Sequence, residues 1–306
     1  MEHSHSPVTE DLAELATEQQ DPAGARLDEM GSLEIVRLMN AEDAGIARAV
    51  EAALPQIARM VDQIVDRMTR GGRLFYVGAG TSGRLAALDA VECPPTFGAD
   101  PDQVQCLLAG GPEAWARAKE GVEDDASAGA GAVEQAGLTP ADILVGVAAS
   151  GRTPFVRGAI GAARERGCVT GIITNHPGSL LGKLADIAIE IPVGPEVLTG
   201  STRLKAGTAQ KMALNMLTTA AFAQMGKVYG SLMVDMRATN SKLRDRAQRI
   251  VAAAAGVSDD TAARLIDQAG GSAKTAIAMS RLNCDRAEAE RLLCAHGGSL
   301  RAALES

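Results

Sequence analysis

The sequence predicts an α/β fold: a five-stranded parallel sheet flanked by helices, with helices ahead of it and a small helical cap behind it. Two observations carry this. Short apolar runs alternate with alanine-rich helical stretches through the middle of the chain, an order that calls for crossover connections and a parallel sheet covered on both faces. The first of these runs, Leu74-Phe75-Tyr76-Val77, passes at once into Gly78, Gly80 and Gly83 and then a helical stretch, which reads as strand, glycine turn, helix.

Taken in order, residues 1 to about 30 are polar, carry Pro7 and Pro22, and show no sustained period, so an extended arm is expected. A short helix follows from Ser32. A longer one spans 41–68, with apolar residues at 46, 50, 54, 57, 61, 64 and 68 on one face and a bend at Pro55. Gly71 and Gly72 end it. The helix after the first strand is expected over 84–92, stopped by Pro94 and Pro95. Further strands are expected at 104–108, 143–147, 169–173 and 187–193, with helices at 112–123, 153–166 and 179–184. A helix over 207–225 and another around 239–254 come next. The tail repeats itself at an offset of 27: Arg264-Leu265-Ile266 through Gly270-Gly271-Ser272 matches Arg291-Leu292-Leu293 through Gly297-Gly298-Ser299, each copy reading as helix, glycine cap, helix. The divisions expected are 1–62, an arm with helices; 63–228, the sheet domain; and 229–306, the helical tail with its duplicated hairpin.

The 306 residues are 46% hydrophobic and 22% charged, ordinary values for a folded globular chain. No apolar run approaches a membrane span and no apolar stretch follows a basic start, so a cytoplasmic protein without membrane partners is expected. A net charge of −8 with 2% aromatic residues removes the basic face and stacking platforms of nucleic-acid binders. Cys93, Cys106, Cys168, Cys284 and Cys294 form no C-x-x-C pair, and His3, His5, His176 and His296 share no metal spacing, so neither disulfides, a metal nor another cofactor is expected.

The glycine turn 78–83 also spells a dinucleotide fingerprint. That motif needs an acid at the end of the second strand to hold a ribose hydroxyl. Here the second strand ends in Ala109-Gly110-Gly111. A smaller phosphate ester at the helix N-terminus fits better, gripped by Gly80, Thr81 and Ser82. Two more loops at carboxyl ends of strands offer hydroxyls ahead of a helix: Ser150-Gly151-Arg152-Thr153, and Ser201-Thr202 with Arg203 and Lys205. A turn or a cap would explain any one of them. Three at one sheet edge, two with cations, point to a phosphorylated ligand, with Ser150, Gly151 and Thr153 as the leading cradle.

For chemistry, three acids stand near these loops. Glu92 ends the expected first helix, where the negative end of the dipole would raise its pKa and suit a proton donor. Glu123 lies in an acidic cluster, and Glu196 precedes the third loop. Glu92 would lie roughly 14 Å along its helix from Thr81 and Ser82, so a bend, a phosphate on the Ser150 loop, or a second subunit would be needed to bring them together.

The stretches GAGTSGRLAALDAVECPPTFG, EGVEDD, AASGRTP and TGSTRLKAGTAQKMALNML resemble those of the N-acetylmuramic acid 6-phosphate etherases, a family built on the sugar isomerase (SIS) domain. The resemblance runs from about Gly31 to Gly298 and is weakest before Gly31. It implies an enzyme of cell-wall recycling that splits the lactyl ether of its substrate, giving N-acetylglucosamine 6-phosphate and D-lactate by elimination and then hydration. It places the family's catalytic glutamates on Glu92, as proton donor, and Glu123, and leaves Glu196 a structural or auxiliary role. It implies a small sugar phosphate as partner and a homodimer. The rival readings are a sugar-phosphate sensor, which needs the loops but not the acids, and an aldose-ketose isomerase, which removes the same carbon 2 proton without a leaving group.

Overall fold

The computed structural model of the protein describes residues 16–236 and 241–306. The start of the expected arm, with His3 and His5, and the first residues of the helix expected around 239 lie outside that range.

Two helices, α1 (Ser32–Asp43) and α2 (Ile46–Thr69), lead into a sheet of β1 (Leu74–Gly78), β2 (Val104–Leu108), β3 (Ile143–Val147), β4 (Val169–Thr174) and β5 (Ile187–Glu190). All pairings are parallel and the order is β2-β1-β3-β4-β5. The chain goes from β1 to one side and then returns to the other, so the sheet's switch point lies between β1 and β3. In open α/β sheets a crevice forms there, outside the carboxyl ends of the strands.

One face of the sheet, through Leu74, Tyr76, Val145 and Ile173, packs on α2, α3 (Gly80–Phe97) and α7 (Lys205–Gln224). The other, through Phe75, Val77, Leu144 and Ile172, packs on α5 (Pro154–Glu165) and α6 (Leu180–Leu184). The stripe of α2 is buried at Ile46, Val50, Ala53, Ile57, Met60, Val61, Ile64 and Met68, whereas Leu54, expected on it, faces outward. The expected division at 62/63 falls inside α2, whose apolar stripe belongs to the sheet core.

At the opposite end of the sheet from the crevice, Asp142 joins the starts of β1 and β3. It accepts from the Arg73 backbone N–H and guanidinium and from the backbone N–H and hydroxyl of Thr139. Burial pushes its carboxyl up, but these donors outweigh burial and hold it below the usual carboxylate value. A depressed folded pKa gives stability that is complete above the unfolded value of about 3.9 and is lost as pH falls through the folded one. Asp142→Asn is therefore expected to lower stability at pH 7 and to flatten its acid limb below about pH 4, measured by urea denaturation across pH.

Two helices differ from expectation. Pro94 and Pro95 do not stop α3, which runs on to Phe97 and ends at Gly98, in the left-handed conformation with its N–H on the Pro94 carbonyl. Prolines remove donors and crowd the preceding turn, but here Cys93 and Phe97 are buried, and the Phe97 ring stacks on Phe222 of α7 at 4.7 Å between centroids. Tertiary packing outweighs the local break. The stretch 112–123 is not a helix: it holds only the 3₁₀ turns Pro112–Trp115 and the start of Val122–Asp124. The helix on this side is α4 (Ala126–Gln135), started by the Asp125 side chain accepting from the Ala128 N–H.

Behind α7, α8 (Ser241–Ala255), α9 (Asp259–Gln268), α10 (Ala273–Leu282), α11 (Arg286–Ala295) and α12 (Leu300–Glu305) form a separate core of mostly small residues. The duplication is plain in three dimensions. Helix α9 maps onto α11 and α10 onto α12 at the same offset, and Ser272 and Ser299 cap the second helix of each copy. Lys274 fastens this unit to the sheet domain, its ammonium donating to the Gly226 and Gly298 carbonyls and to Asp235.

Candidate active site

The crevice at the switch point is a cleft of about 320 Å³. The N-terminus of α3, following β1, and that of α5, following β3, both open onto it. Gly80, Thr81 and Ser82 line it from the first, Ser150 and Thr153 from the second, and Thr202 from the loop ahead of α7. Neither α3 nor α5 has a side-chain cap, so their first-turn N–H groups remain available to an anion, with two helix dipoles aimed the same way. Gly83 lets α3 start this close to the strand: a Cβ there would stand 2.6 Å from the Gly78 carbonyl oxygen.

The third helix start is different. Glu196 is fully buried, and its carboxylate accepts from the backbone N–H of Lys205 and of Ala206 at the first turn of α7. It occupies from within the place an anion takes at α3 and α5. That is a structural role.

Glu123 lines the cleft beside Lys119 and Glu120. Its position depends on α4, which starts three residues later and lies unusually close to α5. A Cβ on Gly158 would be 1.9 Å from the Ala126 carbonyl oxygen, and one on Gly129 1.9 Å from that of Phe155. The turn carrying Glu123 is thereby held against the helix start that carries Thr153.

Glu92 stands elsewhere. It lies on the exposed side of α3, more than one turn short of the helix end, where the dipole effect has faded. It is outside the cleft of its own chain. Beneath it the helix is pinned by Asp89, which accepts from Tyr76 Oη at 3.0 Å, Asn215 Nδ2 at 2.8 Å and Thr218 Oγ1 at 3.1 Å. Burial pushes the Asp89 carboxyl up against these donors.

Gly151, Arg152, Ser201 and Lys205 also fall outside the lining. Gly151 packs on Ser179 and Thr174 with φ +64, so it shapes the loop rather than facing the cleft. Lys205, expected to supply a cation, is buried, and its ammonium pairs with Glu42 of α1 at 2.6 Å. The cations in the cleft are instead Arg84, whose Nε donates to the carbonyls of Ala114 and Trp115, and Lys119. Arg84 was legible as the first basic residue of the α3 motif. Thr17 and Glu18, from the arm, also line the cleft, and no local pattern pointed to them.

His176 is half-buried and His296 caps α11; neither lines the cleft. No cluster of three or more His, Cys, Asp or Glu suited to a metal occurs among the described residues. The five cysteines are free, and Cys294 is exposed. No described helix is long and apolar enough to cross a membrane.

Two family models match the part of the chain that forms the sheet. A family model described as the glucokinase regulatory protein N-terminal SIS domain matches residues 56–164, and the SIS domain model matches residues 127–220. An N-acetylmuramic acid 6-phosphate etherase of Rubrobacter xylanophilus is 51% identical over 97% of this chain and 98% of its own. One from Symbiobacterium thermophilum is 54% identical over 87% of this chain and 89% of its own. Among solved structures, a phosphoheptose isomerase from Francisella tularensis matches 63% of this chain and 100% of its own, with 17% identity and a TM-score of 0.48. At half identity over nearly the full length, the chain belongs to the N-acetylmuramic acid 6-phosphate etherase family.

Proposed function

We propose that the protein is a carbon-oxygen lyase of cell-wall recycling that cleaves the lactyl ether of N-acetylmuramic acid 6-phosphate to N-acetylglucosamine 6-phosphate and D-lactate. The observation that carries the reading is the meeting of two uncapped helix starts, hydroxyls at Thr81, Ser82, Ser150 and Thr153, and the carboxylate of Glu123 in one cleft. The helix starts suit the phosphoryl group, and a carboxylate lining the same cleft suits proton transfer on the sugar. In the open-chain substrate the aldehyde acidifies the carbon 2 proton. One carboxylate removes that proton, the electron pair forms the carbon 2 to carbon 3 double bond, and the ether oxygen leaves carbon 3 with a proton from an acid. Water then adds across the double bond and restores the sugar. We assign Glu123 to the carbon acid or the incoming water and Glu92 to the ether oxygen, and place the protein in the cytoplasm.

Glu92 requires a second copy of the chain. On α3 it shares its outward face with Leu88 and Val91, 38% and 60% exposed, and Trp115, 44% exposed, lines a surface hollow together with Val91. Adjacent large apolar side chains left in water are the mark of a covered surface. We propose a homodimer across this face, with each Glu92 serving the neighbouring cleft. Replacing Val91 with Arg is expected to give monomers in analytical ultracentrifugation with little lyase activity; active monomers would remove the second copy from the mechanism.

Incubation with N-acetylmuramic acid 6-phosphate followed by an enzymatic D-lactate assay tests the function. Stoichiometric lactate is expected. Binding without lactate would favour the sensor reading, and interconversion of aldose and ketose phosphates without lactate the isomerase.

A further inference from the structure

The amino-terminal arm forms one side of the cleft. The Gly200 N–H donates to the Thr17 carbonyl at 3.1 Å, so the arm is clipped to the loop that carries Thr202. Glu18 lies across the same glycine: with φ at +76, a Cβ on Gly200 would stand 3.3 Å from Glu18 Oε2. Further on, Gly24 passes so near Val197 that a Cβ would be 2.2 Å from its carbonyl oxygen. The loop is itself anchored by Glu196 at the start of α7. The arm is therefore registered by backbone contacts on a fixed base, and those contacts present Thr17 and Glu18 to the cleft.

Thr17 is 2% exposed, and its Oγ1 finds no hydrogen-bond partner among the described residues. Three side-chain atoms share that condition among the described residues, and Thr17 alone of the three lines the cleft. A buried hydroxyl left without a partner weakens a fold, and a structural role would have supplied one. Its neighbour Glu18 is an anion, which repels a phosphoryl group but accepts from neutral donors. The uncapped helix starts already provide for the phosphoryl group.

We infer that Thr17 and Glu18 are substrate-recognition residues that hydrogen-bond the neutral polar groups of the sugar, its hydroxyls or acetamido N–H, away from the phosphoryl end. This rests on reading the cleft as a sugar-phosphate site. The test is titration calorimetry on the full chain, using wild type, Thr17→Val, Thr17→Ser and Glu18→Ala, with N-acetylglucosamine 6-phosphate, glucose 6-phosphate and inorganic phosphate as probes. Thr17→Val and Glu18→Ala are expected to weaken N-acetylglucosamine 6-phosphate by about tenfold, Thr17→Ser to restore most of it, and inorganic phosphate to change less than about twofold. A loss shared by glucose 6-phosphate assigns the sugar hydroxyls; one confined to the acetamido sugar assigns the amide. Because Val removes a hydroxyl that has no partner, Thr17→Val is expected to hold or raise the melting temperature while it weakens binding. Unchanged sugar-phosphate affinity in both variants, or an equal loss for inorganic phosphate, overturns the inference. A wild type that binds neither sugar phosphate overturns the reading of the cleft and the inference with it.

Discussion

Glu123→Gln is expected to lower D-lactate release from N-acetylmuramic acid 6-phosphate by a hundredfold or more while leaving the affinity for N-acetylglucosamine 6-phosphate within about threefold. Positioned acid-base catalysis is worth on the order of a hundredfold to ten-thousandfold, and glutamine keeps the size of the side chain while removing its proton chemistry. Glu92→Gln is expected to behave alike, although Glu92 stands outside its own chain's cleft. The two variants together separate a shared site from a single-chain one. Co-expressed, they form mixed dimers with one cleft carrying both glutamates, so activity is expected to return to about a quarter of wild type if random pairing governs assembly. No recovery, or full activity in Glu92→Gln alone, removes Glu92 from the neighbouring cleft. The readout is lactate formed per minute under substrate saturation, with calorimetry for affinity.

The second large effect comes from a position that touches no ligand. Gly158→Ala would place a Cβ 1.9 Å from the Ala126 carbonyl oxygen. The clash is with backbone at the first turn of α4, so no rotamer change relieves it and the two helices must separate. Overpacking of this kind costs about 3 kcal/mol or more when nothing flexible can give. The turn bearing Glu123 precedes α4 directly, and a displacement of about 1 Å at a reacting group lowers turnover by roughly a hundredfold. Urea denaturation and kcat should therefore fall together. Gly161→Ala on the same helix is the control: a Cβ there meets nothing within 4 Å, and the better helix propensity of alanine is expected to leave stability unchanged or raised by about 0.5–1 kcal/mol.

The strands were legible because their pattern is local. Apolar runs between glycine-rich turns gave all five, and β5 was only shortened at its end. The duplicated tail was legible for the same reason, since a repeat is written in the chain itself. The end of α3 and the start of α4 were not. At Pro94 and Pro95 the local rule favours a stop, and what overrides it is Phe97 stacked on a residue more than a hundred positions away. In 112–123 the composition suits a helix, but the chain is drawn into short turns around the cleft while the glycine-rich stretch after Asp125 becomes α4, because only small residues allow its approach to α5.

Of the candidate residues read from the chain, the hydroxyls after β1 and β3 and Glu123 line one cleft. Lys205 and Glu196 carried the right chemistry in the right stretch, but each is taken up by a partner, Glu42 for the one and the start of α7 for the other. Arg84 and the arm residues enter instead.

The chain alone determined the alternation of strand and helix, the glycine turns ahead of two uncapped helix starts, and the repeat in the tail, since each depends on residues within a few turns of one another. Which side chains meet at the cleft was decided only by the tertiary structure. Burial and pairing act between segments far apart in sequence, and they turn one lysine inward to a glutamate while bringing Thr17 and Glu18 onto the rim.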